Sequence, residues 1–363
     1  MRIVRIIGVL ERGGAQLSAL RLAVALREHG IESPCLLAGT ATAEGIALAE
    51  HFGVTAEAFE VVAEISPPAS LQWRPSREFA DWLQRRLAGA DLAHAHMFGA
   101  WWAAAAALSG ALDGVPLVAS EHNEMSWPAG DHTDAAGQAA LRVNAFFGHG
   151  PAAQAFGQRI GLPTRLIHEG RSAISAPHVP PLPRLPSPRI TFAGRLSADK
   201  APDVLVEAVS RMADPPPTYL VGEGPMRAQL LSLARCCGVA DVVRMPGWSM
   251  TPERWVAGST VHVVPSREEA WSQSAVMALS LGVPVVGTRV DGLALTLGNE
   301  RGILVPPNDP NALASALADV LAGRRPVSAP GRRYAAEFTP AAVAARYAGI
   351  YQNLVEGNDV QCV

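Results

Sequence analysis

Lys200 is the only lysine in a chain whose 30 basic residues are otherwise arginines. It closes the run Gly194-Arg195-Leu196-Ser197-Ala198-Asp199-Lys200, directly after the apolar stretch Ile190–Ala193, which reads as a strand. Two cations five residues apart, in a turn leading from a strand to a helix, make a pocket for an anion, a diphosphate above all. A GC-rich codon bias toward Arg, Ala, Gly and Pro would also leave one lysine anywhere by chance.

Four further clusters fall where apolar runs end. Glu11-Arg12-Gly13-Gly14-Ala15-Gln16 separates the first strand from the first helix. Its glycines let a ligand approach the backbone, and the helix start offers N–H groups to a phosphate; an ordinary tight turn has the same composition. Ser120-Glu121-His122-Asn123 is a polar quartet in which His122 could bond a substrate hydroxyl or serve as a cap. His94 and His96 lie two apart on one strand face. They could ligate a metal, although no third ligand is evident; His94 reads as structural and His96 stays open. Gly222-Glu223-Gly224-Pro225 permits a sharp turn, with or without a ligand. Pro265-Ser266-Arg267-Glu268-Glu269-Ala270-Trp271-Ser272-Gln273-Ser274 enters a helix that stops before Gly282. A plain N-cap explains Ser266 and Ser272, but not two adjacent carboxylates and a tryptophan in one loop.

The elements that must position these residues alternate. Strands are expected at Ile3–Leu10, Pro34–Leu37, Leu92–His96, Pro116–Ser120, Ala145–Gly148 and Arg165–Ile167, with a helix from about Ala15 to His29. From Ala176 to Pro188 come six prolines in thirteen residues, which read as an extended linker. The pattern then restarts: strands at Arg189–Ala193, Thr218–Val221, Val242–Met245, Val261–Val264, Pro284–Thr288 and Ile303–Val305, and helices at Asp203–Met212, Arg227–Cys236 and Asn311–Leu321. Such alternation predicts α/β domains with parallel sheets covered on both faces. The expected division is 1–175, a linker at 176–188, a second domain at 189–335 and a helical tail at 336–363 that packs back on the first.

With 363 residues, 49% of them hydrophobic, two cores are affordable. A net charge of −3 without long blocks points to neither nucleic acid nor a polybasic membrane surface. The four cysteines (Cys35, Cys236, Cys237, Cys362) lack metal-ligand spacing, which suits a reducing cytosol. No signal peptide or membrane-spanning run is recognised.

Taken together, the motifs of the second half resemble those of the retaining glycosyltransferases of family 4, which have the GT-B fold: two Rossmann-like, doubly wound parallel-sheet domains facing across a cleft. Gly194-Arg195 with Lys200 is similar to the family's phosphate-binding GR-x4-K. Gly222-Glu223-Gly224-Pro225 resembles its G-x-G-P turn, and Gly247 a later glycine. Pro265-Ser266 with Glu269, Leu281-Gly282-Val283-Pro284-Val285-Val286-Gly287-Thr288 and Gly302-Ile303-Leu304-Val305-Pro306-Pro307-Asn308-Asp309-Pro310 resemble its nucleotide-sugar segments. In the first half, Gly13-Gly14-Ala15-Gln16, Ala93-His94-Ala95-His96 and His122 match weaker signatures. Two departures stand out. The family's second glutamate, eight residues after Glu269, is replaced by Met277, and its Asn-Gly by Glu169-Gly170.

The resemblance implies a nucleotide-diphosphate sugar held by the second domain and an acceptor held by the first. It implies catalytic roles for Arg195, Lys200, Glu269 and His122. It implies donor contacts at Gly13, Gly14, Gly194, Gly222, Gly224, Ser272, Gln273 and Met277, and places Gln16, His96 and Asn123 on the acceptor side. Neither bound metal nor resident cofactor is expected. The co-substrate is a UDP-sugar by preference; because Met277 cannot accept a bond from a ribose hydroxyl, a dTDP-sugar is the alternative. The expected acceptor is a small polar molecule, as in aminoglycoside or other natural-product assembly. A GT-B nucleotide-sugar epimerase and a catalytically silent sugar-nucleotide-binding protein are the rival readings.

Overall fold

Eight consecutive buried residues, Ile3–Leu10, form the first strand, β1. A strand buried on both faces needs no polar alternation, and this run has almost none apart from Arg5. The computed structural model describes residues 1–65, 74–122, 133–174, 178–324 and 329–358. They form two units, Met1–Ala173 with Pro340–Val363, and Ile174–Thr339.

Unit 1 contains β1, β2 (Cys35–Thr42), β3 (Thr55–Val62), β4 (Leu92–His96), β5 (Leu117–Glu121), β6 (Val143–Gly148) and β7 (Ile167–Glu169). They form a sheet in the order β3-β2-β1-β4-β5-β6-β7, with every pairing parallel. The order reverses between β1 and β4, and ligand crevices of such sheets open at the carboxyl ends of the strands flanking that reversal. One face packs on an apolar cluster around Phe79, Trp82, Phe98 and Trp101. The other packs on Leu22, Leu26 and the final helix, Pro340–Val355, through Val343, Tyr347 and Tyr351.

Unit 2 contains β8 (Ile190–Ala193), β9 (Thr218–Val221), β10 (Val243–Gly247), β11 (Val261–Val264), β12 (Val285–Thr288) and β13 (Ile303–Val305). The sheet order is β10-β9-β8-β11-β12-β13, again parallel, with its reversal between β8 and β11. The Pro-rich segment is tied into this unit, Leu182 N donating to Arg254 O at 3.0 Å.

The α/β alternation read from the sequence is present, with local differences. β2 continues to Thr42, past the expected end at Leu37, because Ala38, Thr40 and Ala41 still pair with β1 and β3. β7 begins at Ile167, after a single 3-10 turn at Thr164–Leu166, where a strand from Arg165 was expected. β3 was passed over altogether. It is an edge strand whose Phe59 and Val61 are exposed, so its pattern carries no clear burial signal. Among the described residues no helix is long and apolar enough to cross a membrane.

Candidate active site

The reversal in unit 2 brings the loops after β8 and β11 side by side. Lys200 ends the first loop, and Ala201 follows it in the left-handed region (φ 51) before the helix Pro202–Ser210 begins. Glu269 lies in the second. Lys200 Nζ donates to Glu269 Oε2 at 2.9 Å, and Ser266 Oγ donates to the same oxygen at 3.2 Å. Glu269 is only 11% exposed, so its charge needs these donors. Lys200 also stands 3.7 Å from Asp199 Oδ2. Burial pushes the Asp199 carboxyl up, but the Ser197 hydroxyl, donating at 2.6 Å, and the charges of Lys200 and Arg195 outweigh it and hold it below the usual carboxylate value. Arg195 is half-buried, and among the described residues its guanidinium makes no hydrogen bond or ion pair.

The turn after β9 braces this loop. Leu196 N donates to Glu223 O at 2.8 Å and Met226 N to Leu196 O at 2.9 Å. Gly222 (φ 148) and Gly224 (φ 158) are needed there, because a Cβ would run into Gly194 O and Leu196 O respectively. Close packing therefore accounts for both glycines without a ligand. Gly194 sits in the same contact, its N donating to Val221 O at 3.0 Å. Ser272 caps the helix Gln273–Ser280, its Oγ accepting from Ala275 N at 3.3 Å. The cap Ser272 lies three residues past Glu269, and Gln273 is the first residue of the helix. Met277 is one turn further in and belongs to an apolar cluster with Val264, Val276 and Val285.

Unit 1 ends differently. Gly13 precedes the helix Gly14–Ala25 with no side-chain cap. Gln16 is buried and its amide donates to Val9 O at 2.9 Å, so it ties the helix to β1. The polar residues lie on the strands themselves. Arg5 is fully buried; its Nη1 is 3.0 Å from His94 Nδ1 and 3.4 Å from His96 Nε2, and its Nε donates to Ser33 Oγ at 3.2 Å. A guanidinium can only donate, so His94 Nδ1 must carry the lone pair. Its Nε2–H then donates to Ser120 Oγ at 2.7 Å. The same argument puts the proton of His96 on Nδ1, which is buried and has no partner among the described residues. Tyr351 Oη reaches His94 Nδ1 at 2.7 Å from the last helix.

From there a row of rings runs to the strand ends. His94 and His96 centroids are 4.1 Å apart, His96 and His122 5.8 Å, His122 and His149 3.8 Å. Burial pushes His122 down to about 4. Burial, then Arg5 and neighbouring rings, holds His94 well below the ordinary value; burial, then the adjacent rings, does the same for His149. His122 Nε2 and His149 Nδ1 have no partner among the described residues. His149 packs directly on Gly170, where a Cβ would meet its ring. Just past His96, Met97 adopts φ 71 and ψ 152, a strained conformation for a residue with a side chain. Asn123 lies outside the described residues.

The geometry thus joins Lys200 and Glu269, with Arg195 on the same loop as Lys200, and separately aligns His96 with His122. The sequence reading missed Arg5, His149, His168, buried on β7, and Arg267, whose guanidinium grips the Asp203 carboxylate at 3.0 and 2.6 Å. His149 carried a signal, since Gly148-His149-Gly150-Pro151 is a strand-to-helix junction like the others. Among the described residues no group of three or more His, Cys, Asp or Glu side chains is placed to hold a metal ion.

Two parallel α/β units whose polar residues gather at sheet reversals define a GT-B protein, and solved structures agree. Anabaena HepE in complex with UDP superposes with a TM-score of 0.77 at 17% identity, over 97% of this chain and 100% of that one. Sucrose-phosphate synthase from Thermosynechococcus elongatus gives 0.73 at 20% identity, over 99% and 100%. The model for Glycosyltransferase Family 4 matches residues 12–170, and that for Glycosyl transferases group 1 matches residues 187–323. The chain belongs to the family 4 glycosyltransferases. A D-inositol 3-phosphate glycosyltransferase of Xylanimonas cellulosilytica is 37% identical over 158 residues, 41% of this chain and 38% of that protein. One of Catenulispora acidiphila is 34% identical over 185 residues, 46% and 43%. The chain thus matches about two fifths of these relatives' length.

Proposed function

We propose that the protein transfers a sugar, with retention of configuration, from a nucleotide-diphosphate sugar to a small polar acceptor. The observation that carries this reading is the Lys200–Glu269 contact of 2.9 Å at the unit 2 reversal. A cation and a carboxylate held together there suit the two ends of a sugar diphosphate. Arg195 and Lys200 stabilise charge growing on the departing diphosphate, and Glu269 accepts from donor-sugar hydroxyls. The bond from the anomeric carbon to the phosphate oxygen breaks, and the bond to the acceptor oxygen forms on the same face. The leaving phosphate takes the acceptor's proton, so no side chain need attack. His122, kept neutral by burial, contributes a hydrogen bond and not a charge.

The relatives are named for D-inositol 3-phosphate, which supports a small, hydroxyl-rich acceptor and makes that compound the first to try. Antibiotic or other natural-product assembly remains the wider setting proposed for it. A donor-binding protein without turnover is the second reading. Met277 favours it, because an apolar side chain stands where the family resemblance calls for a ribose contact.

A thermal-shift screen against UDP, dTDP, GDP and ADP sugars tests donor binding, since a ligand raises the melting temperature by mass action. Transfer to D-inositol 3-phosphate, with the product anomer read by NMR, tests the reaction. A stable protein that binds no nucleotide sugar sinks the proposal; binding without turnover moves it to the second reading. With two cations serving the diphosphate, EDTA should leave the transfer rate within about twofold. Total loss in EDTA with recovery on adding Mg²⁺ would refute that part.

A further inference from the structure

We infer that Arg267, two residues before Glu269, is a positioning residue that sets Lys200 and Glu269 against each other. This rests on the proposed function for its catalytic consequence, but its structural core does not.

Arg267 uses its backbone and three side-chain nitrogens on three separate segments. Its N donates to Asp199 O at 2.8 Å, and Nη1 donates to Ala198 O at 2.7 Å. Nη1 and Nη2 grip Asp203 Oδ1 and Oδ2 at 3.0 and 2.6 Å, a two-pronged pair at the start of the helix that follows Lys200. Nε donates to Asn308 Oδ1 at 2.7 Å, in the loop after β13, where Asn308 holds a left-handed φ of 56. The two peptides before Lys200 are therefore fixed by the residue that fixes the approach to Glu269. A planar fork with five donors can satisfy such a set; an ammonium cannot span it. Neither Lys200 nor Glu269 is touched by the Arg267 side chain in any contact above, so its effect passes through the loops.

The sequence offered Arg267 only as one letter in the loop after β11. Its partner Asp203 is 64 residues earlier and Asn308 is 41 later, so nothing local marked it.

The test is a cycle of Arg267→Ala, Arg267→Lys and Asp203→Asn with Lys200→Ala. Misplacing a catalytic group by about an ångström can cost on the order of a hundredfold. Arg267→Ala and Arg267→Lys should each lower kcat by about tenfold or more while donor KM stays within about threefold. Lysine should fail to rescue. In the background of Lys200→Ala, removing Arg267 should cost little more, because its benefit is delivered through Lys200. Wild-type turnover in Arg267→Ala, or a loss that multiplies fully with that of Lys200→Ala, overturns the inference. Wild-type turnover in Lys200→Ala instead overturns the proposed function. A crystal structure of Arg267→Ala decides the geometric claim without any activity. The Lys200–Glu269 contact should be lost there; its persistence near 2.9 Å overturns the inference, whatever the reaction.

Discussion

The two sheets end in opposite kinds of chemistry. At the ends of β8 and β11 the functional groups sit on loops or at a helix start and pair cation with carboxylate: Lys200 with Glu269, and Arg267 with Asp203. At β4, β5 and β6 four histidines sit on or just past the strands and are held neutral: His94, His96 and His149, which are buried, and His122, which is half-buried. The cause is where the side chains are anchored. A loop keeps some contact with water, and the hydration that Glu269 still loses is made good by Lys200 and Ser266. A strand inside a covered sheet has none, and the ionised form of an imidazole is disfavoured. Arg5 sharpens this. It is a buried guanidinium without a carboxylate partner in any hydrogen bond or ion pair above, and its positive charge opposes a second one on His94 or His96. The charged end suits a leaving diphosphate, and the neutral end suits hydroxyl recognition.

The largest expected break in this contrast is Lys200→Ala. Loss of one donor aimed at developing charge costs about a hundredfold or more in kcat, and the fold should survive because the lysine is a loop residue. Single-turnover kinetics beside a melting curve would check it.

Acid should separate the two regions next. A histidine whose folded value is depressed adds stability in full above the ordinary value of 6.5, and that stability is lost as pH falls to and through the folded value. For His122 and His168 the window therefore runs from about 6.5 down to about 4. At about 1.4 kcal/mol per unit, the shift of His122 is worth at most roughly 3 kcal/mol. Among the described residues unit 1 carries five such histidines and unit 2 carries one, His262, pushed down to about 3. Amides of β4–β6 should lose hydrogen-exchange protection before those of β11 and β12 as pH drops from 7 to 4.5. Simultaneous loss would contradict the contrast.

Gly222→Ala attacks the charged end through its support. The new Cβ meets Gly194 O in a backbone conformation that side chains avoid, so roughly 1–3 kcal/mol of stability should go. Donor affinity should fall with it, as the Gly194–Lys200 loop shifts. Calorimetry on the variant would show both, and unchanged donor affinity would mean that the brace does not position the loop.

The smallest effect is expected at the neutral end. Tyr351→Phe removes the 2.7 Å contact to His94 Nδ1 but leaves Arg5 at 3.0 Å. About 1 kcal/mol should be lost in chemical denaturation. A loss several times larger would mean that the tyrosine, and not Arg5, fixes the tautomer of His94.

Short-range pattern was legible wherever burial was strong. Val261–Val264 reads as a strand because a central parallel strand is apolar on both faces, and β1 likewise. β3 did not, because an edge strand with exposed Phe59 and Val61 lacks that signature. The Gly194–Lys200 segment was legible for another reason: strand, turn, cations and helix all lie within one stretch of chain. So the sequence by itself determined the alternation of elements, the phosphate-type loop and the carboxylate loop. Only the tertiary structure decided that β8 and β11 flank the reversal and so bring Lys200 onto Glu269, 69 residues away. It also decided that Arg267 grips Asp203 and that Tyr351 reaches His94 across 257 residues. Periodicity records which face of an element is buried, and is silent about which other element covers it. That depends on strand order, which is settled by packing among segments far apart in the chain.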